Sequence, residues 1–252
     1  MKKQVIAPKS YASEEEIAAY ERLLDLLQQS PIPPREFLAN IGLYLNRSLL
    51  SRICFLQNLY LKILNVHGVV VEFGVRWGQN MALFSTFRNM YEPHNYSRKI
   101  IGFDTFEGFL QISPQDGKGD EIKVGNLDVT ENYEDYLENL LLAHDKLAPR
   151  GHIKKFELIK GDVNSTLPHY LELHPETIIS LVYFDLDLYQ PTRFCLEKIR
   201  EHMTRGAIIG FDELAHPDCP GETLALKEVL GLSRYSIQRD SISNDYSYIV
   251  FE

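Results

Sequence analysis

The chain has 252 residues, 44% of them hydrophobic and 24% charged, enough for one large core or two modest ones. Its 26 Lys and Arg against 35 Asp and Glu give a formal net charge of −9, which argues against a nucleic-acid binder or a protein docked on anionic membranes, since both need clustered cations. Cys54, Cys195 and Cys219 form no CxxC pair and no disulfide framework, the N-terminal MKKQVIAPKS has no apolar core of signal-peptide length, and no later run nears the roughly 20 apolar residues of a membrane helix, so a reducing cytoplasm is the expected compartment.

The first third reads as helical. Ser13 followed by Glu14, Glu15 and Glu16 is a capping-box start. Ile17, Tyr20, Leu24 and Leu27 then recur at helical spacing until Pro31, Pro33 and Pro34 close the segment. A second helix is expected from the prolines through Phe37, Leu38 and Ile41. A third is expected over Leu49–Val66, burying Leu50, Cys54, Leu61 and Leu64.

From His67 the pattern changes to strand alternating with helix. Strands are expected at Val69–Phe73, Lys99–Phe103, Phe156–Ile159, Ile178–Phe184 and Ala207–Phe211. Helices are expected at Gln79–Met90, Tyr133–Lys146, Ser165–Leu173 and Pro191–Met203, with another after Gly221. Tyr235–Arg239 and Tyr246–Phe251 read as closing strands. This order predicts an α/β, doubly wound Rossmann-like sheet over 67–252, with a helical extension over 1–66.

In such sheets ligands bind beyond the carboxyl ends of the strands. The first strand is followed by Gly74-Val75-Arg76-Trp77-Gly78, with Glu72 just before the turn. A dinucleotide fingerprint would place glycine where Arg76 stands, to bring pyrophosphate against bare backbone. A carboxylate before the turn suits a ligand that carries positive charge and no pyrophosphate. Asp104 ends the second strand, where an acid accepts from ribose hydroxyls. Asp162 follows the third, placed to accept from an adenine amino group. Three acids at three successive strand ends fit S-adenosylmethionine.

The fourth strand ends in Asp185-Leu186-Asp187 and the fifth in Asp212-Glu213. Neighbouring parallel strands lie about 4.8 Å apart, so these carboxylates can converge on one ion. Oxygen ligands without Cys or paired His select Mg²⁺ or a similar hard cation. A strand-end Asp serves equally as a helix cap, and that alternative stands for Asp185 and Asp187 singly.

The segment Glu72 to Gly78, GFDTFEGF at 102–109, FDLDLYQPT at 184–192 and GFDE at 210–213 together resemble the macrocin O-methyltransferase family over residues 66–215. The resemblance implies a class I S-adenosylmethionine-dependent enzyme that methylates sugar hydroxyls, with an N-terminal extension that covers the active site and forms homo-oligomers. It implies cofactor contacts from Glu72, Gly74, Arg76, Gly78, Asp104, Thr105, Phe106, Asp162, Val163 and Asp185. Asp185, Asp212 and Glu213 occupy its metal-ligand positions, although the family carries Asp-Asp where this chain has Asp212-Glu213.

A sugar hydroxyl needs a base, and the candidates are Asp187 and His216. Were the sugar nucleotide-linked, Arg76, Arg88, Lys118 and Lys123 are the cations available to its diphosphate. Trp77 and Phe109 can stack on ligand rings or simply pack, and Tyr246 and Tyr248 read as sheet-face residues. Two other readings stay open: methylation of a catechol-like phenol, whose vicinal hydroxyls also chelate a metal, and a catalytically silent cofactor-binding module.

Overall fold

The computed structural model describes residues 13–119, 121–243 and 246–252. The described residues form two units, one up to Ser51 and one from Arg52 onward. Helix α3 (Arg47–Lys62) runs through the division, so most of it belongs with the sheet, whereas the sequence pattern placed the boundary at 66.

In the first unit the capping box forms as expected. The Ser13 hydroxyl accepts from the Glu16 N–H while the Glu16 carboxylate accepts from the Ser13 N–H, which starts α1 (Glu14–Gln28). The second helix departs from expectation. Only one α-turn forms after the prolines, α2 (Pro34–Phe37), and the chain tightens into a 3₁₀ helix over Leu38–Tyr44. Neither segment has a buried residue, so no packed face imposes the wider α geometry.

The second unit is a seven-stranded sheet ordered β3-β2-β1-β4-β5-β7-β6. Its strands are β1 (Val69–Phe73), β2 (Ile100–Asp104), β3 (Phe156–Lys160), β4 (Ile179–Phe184), β5 (Met203–Phe211), β6 (Ile237–Arg239) and β7 (Ser247–Val250). The first five are parallel, and β7 runs antiparallel between β5 and β6. The connecting helices are α4 (Gln79–Tyr91), α5 (Tyr133–Leu147), α6 (Val163–Leu173), α7 (Tyr189–Ile199) and α8 (Gly221–Val229).

Strand alternation sorts the core into two layers. Phe73, Phe103, Phe184 and Phe211 stand abreast in register and pack on α6, α7 and α8. Consecutive rings along this row are 5.2 to 5.4 Å apart between centroids. On the other face Val70, Ile100, Leu181, Tyr183 and Ile208 meet α3, α4 and α5. The buried side of α3 is Phe55, Leu56, Leu59 and Tyr60, with Ile63 just beyond the helix. This corrects the expected set, because Leu50 and Leu61 are exposed and Cys54 is only half-buried.

One residue past the phenylalanine row come Gly74, Asp104, Asp185 and Asp212, at four adjacent strand ends. Gly74 has φ of +90°, and a Cβ there would lie 1.9 Å from the Asp185 carbonyl oxygen. Only glycine lets the β1 turn cross this close to the end of β4.

Candidate active site

Glu72 is fully buried on the α3–α4 side of β1, where one carboxylate oxygen accepts from Asn80 Nδ2 at 2.8 Å. The other has no hydrogen-bond partner among the described residues. Burial, then the charge of Asp185, pushes the Glu72 carboxyl well above the usual range. An unpaired buried carboxylate oxygen at the start of a glycine turn is a ready acceptor for a cationic ligand.

Asp104 is held by two backbone donors, Arg76 N–H at 2.8 Å and Phe106 N–H at 2.5 Å, one on each oxygen. Both donors sit at positive φ, 48° and 57°, so the two turns fold toward the carboxylate. Each oxygen keeps a second lone pair, which is what a ribose diol requires. Gly78 begins α4 at φ +76°, where a Cβ would strike the side chain of Leu137.

Several residues expected at the cofactor have side chains engaged within the fold. Phe106 and Val163 bury their side chains in the core. Thr105 spends its hydroxyl on the turn, donating to the Gly108 carbonyl and accepting from the Glu107 N–H. Asp162 caps α6, accepting from the N–H and the side-chain amide of Asn164. Phe109 packs with Ile122, Leu188 and Cys219, whereas Trp77 is exposed and meets Tyr133 edge-on. Tyr246 and Tyr248 pack in the core layer on the α3 side.

Arg88 is not available to a diphosphate, which corrects the expectation. It is buried, and its guanidinium binds Asp145 at 2.7 Å and the Lys155 carbonyl at 2.8 Å, tying α4 to α5 and β3. Lys118 and Lys123 are exposed, and Arg76 is half-buried with its Nε unpartnered among the described residues.

The ends of β4 and β5 bring the acids together. Asp185 and Asp212 both contact Arg52 of α3, at 2.5 and 2.8 Å, and Asp212 also accepts from the Tyr183 hydroxyl at 2.7 Å. Arg52 reaches Asn80 as well, which links these acids to Glu72. Asp187, at φ +60°, hydrogen-bonds through its carboxyl to Glu213. Beneath it, buried Glu222 of α8 accepts from the backbone N–H of Leu186 and of Asp187, at 3.0 and 3.4 Å.

Burial and mutual repulsion raise Asp185, Asp187, Glu213 and Glu222. Asp185 is pushed up to about 8 by burial and then by Asp212. Glu213 reaches about 7, chiefly through burial. Asp187 and Glu222 lie well above the ordinary range, by burial and then by Glu213 and Asp187 respectively. One arginine among so many carboxylates leaves the cluster short of positive charge. Its all-oxygen chemistry at the neighbouring strand ends fits a hard divalent cation.

Three residues of this site carry no sequence signal. Arg52 lies inside an ordinary helix, Asn80 in the first turn of another, and Glu222 in a third. Only the fold brings them under the strand ends.

The strand order and the glycine-turn acids define a class I S-adenosylmethionine-dependent methyltransferase. No family model matches the chain, and no curated protein does either. Among solved structures it is similar to CalS11, the calicheamicin methyltransferase, at 39% identity and a TM-score of 0.93, covering 99% of this chain and 97% of that one. A second CalS11 structure, the apo form described as a TDP-rhamnose 3'-O-methyltransferase of calicheamicin biosynthesis, aligns at 38% identity and a TM-score of 0.84 over 96% of each chain. The O-methyltransferase NovP shares the fold at 17% identity and a TM-score of 0.58, covering 80% and 79%. The chain belongs to the CalS11 family, O-methyltransferases of the macrocin O-methyltransferase class.

Proposed function

We propose that the protein methylates a hydroxyl of a nucleotide-linked deoxysugar, with Asp185, Asp212 and Glu213 holding a divalent cation such as Mg²⁺. The observation that carries this reading is the convergence of carboxylates at the ends of β4 and β5, in a chain related over nearly its whole length to an enzyme described as acting on TDP-rhamnose. Bound S-adenosylmethionine would supply the electrophilic methyl group, and a cation held by Asp185, Asp212 and Glu213 would supply Lewis-acid activation of a hydroxyl.

The chain's own residues do the rest. Glu72 and Asp104 fix the donor beside the glycine turn, with Gly74, Arg76 and Gly78 giving backbone access. In its ionised form Asp187 takes the hydroxyl proton. Its left-handed backbone and the Glu222 clamp on its N–H fix the carboxyl beside Glu213. His216 is the second candidate base, in the loop after Glu213. The exposed Lys118 and Lys123, with half-buried Arg76, are the cations for a diphosphate. Exposed apolar side chains of the first unit, Leu38 and Leu43 among them, support assembly of copies of the chain.

The test is transfer of labelled methyl from S-adenosylmethionine to TDP-rhamnose, with and without a chelator. Product that disappears on chelation and returns with Mg²⁺ is expected. Transfer to a catechol and to no sugar nucleotide would move the assignment to the phenol reading. Failure to bind S-adenosylhomocysteine would remove the donor.

A further inference from the structure

We propose that Glu213, His216 and Cys219 form a site for a thiophilic divalent cation of the Zn²⁺ class, separate in chemistry from the oxygen-only set of Asp185 and Asp212. The ligand atoms of the three side chains all lie within 4.8 Å of one another in the loop between β5 and α8. Ligands around one Zn²⁺ stand about 3–4 Å apart, given metal–ligand bonds of ~2.0–2.3 Å, so the side chains need close by only about an ångström.

Two further observations point to a ligand here. His216 Nδ1 is buried with no hydrogen-bond partner among the described residues. The Cys219 thiol is buried and hydrogen-bonds to the Glu213 carboxylate, so a single proton occupies the place a metal would take. A thiolate, an imidazole and a carboxylate select Zn²⁺ over Mg²⁺, and three protein ligands leave a fourth position open.

The loop is built to hold the cluster. Ala215 donates its N–H to the Thr223 hydroxyl at 2.8 Å and sits at φ +62°. The Asp218 carbonyl accepts from the Gly119 N–H at 3.2 Å. Phe109, Ile122 and Leu188 wall the sulfur with apolar surface, while Glu213 and His216 are only half-buried and give the ion its way in. The thiol proton leaves to solvent as the metal–sulfur bond forms. Glu213 is the residue common to both sets, so a thiophilic ion bound here draws it from Asp187 and opposes methyl transfer.

The full chain without a histidine tag, kept reduced by a phosphine, is titrated with Co²⁺. A thiolate-to-cobalt charge-transfer absorption is expected, removed by one equivalent of Zn²⁺ and indifferent to excess Mg²⁺. Cys219→Ser abolishes the band, and Cys54→Ser keeps it. His216→Gln weakens Zn²⁺ binding, measured by calorimetry, by more than about tenfold. A wild-type chain without the band, or a band that survives in Cys219→Ser, overturns the proposal. If Cys219→Ser fails to fold, His216→Gln decides, and an unchanged Zn²⁺ affinity overturns it. The absorption requires no methyl transfer, so its failure is distinct from failure of the proposed activity.

Discussion

At the scale of single residues, the site turns on how carboxylates packed this closely are compensated. Arg52 contributes one positive charge to Asp185 and Asp212 at once, and its side chain is one-fifth exposed. A divalent cation would offset the same two acids, so the two compensations overlap. Arg52→Met is therefore expected to lower stability by about 2 kcal/mol without divalent ions, the scale of a hydrogen bond to a charged group. Mg²⁺ should raise the melting temperature more in the variant than in the wild type, and calorimetric melts with and without Mg²⁺ measure both effects. Equal Mg²⁺ responses would show that Arg52 and the ion do not share those acids. Asp187 meets a different test. Asp187→Asn keeps the size and the Glu222 clamp on the backbone but removes the proton acceptor, so turnover should fall by ~10²–10⁴ with donor affinity unchanged. His216→Gln run beside it sorts the base, since only the true base shows a loss of that size.

At the scale of elements, Arg88 shows how a charge on α4 serves the fold. It binds Asp145 of α5 and the carbonyl of Lys155 ahead of β3, with both charged side chains almost wholly buried. Arg88→Ala leaves Asp145 buried beside Lys155 alone and is expected to cost about 3–5 kcal/mol. Urea unfolding measures that loss, and the double variant Arg88→Met with Asp145→Leu should recover much of it. The same helix marks a boundary of what the sequence shows. Strands β1 to β5 and the acids at their ends were legible, because β-branched runs and the glycine turn are local signals. Arg88, by contrast, reads as an exposed cation until α5 is folded over it. Helix α3 was misread for a related reason. Apolar side chains occur all round it, so Leu50 and Leu61 satisfied the helical period while Phe55, Leu56 and Tyr60 took the buried side. Arg52, Asn80 and Glu222 escaped notice because their partners are distant in sequence and carry no shared motif. Asp162, a strand-end acid, proved to be engaged as a helix cap by Asn164.

At the scale of the whole sheet domain, the two ends of the sheet carry opposite duties. The carboxyl end gathers acids, whereas the amino end is fastened by Arg98. Its guanidinium donates to the carbonyls of Ile63, Val66 and Gly68, to the Ser180 hydroxyl, and to Glu92. One side chain thereby joins the segment after α3 to the starts of β1 and β4 and the end of α4. Tyr60 and Asn95 also donate to Glu92, at 2.7 and 2.8 Å. Burial raises the Glu92 carboxyl, but the hydrogen bonds from Arg98, Tyr60 and Asn95 together outweigh it, and the pKa is lowered. A carboxylate with a depressed folded-state pKa holds fewer protons folded than unfolded. Its stabilisation is full above the unfolded value of 4.5 and fades as pH falls through the folded one. Glu92→Gln is expected to cost about 3 kcal/mol at neutral pH, the scale of breaking a buried ion pair. The gap in melting temperature between variant and wild type should hold steady from pH 8 to about 5, then narrow in more acidic buffer. A gap that does not change with pH would mean that Glu92 acts through packing rather than charge. Because Glu92 lies at the opposite end of the sheet from Asp104 and Glu72, affinity for S-adenosylhomocysteine should remain at the wild-type level wherever the variant is folded.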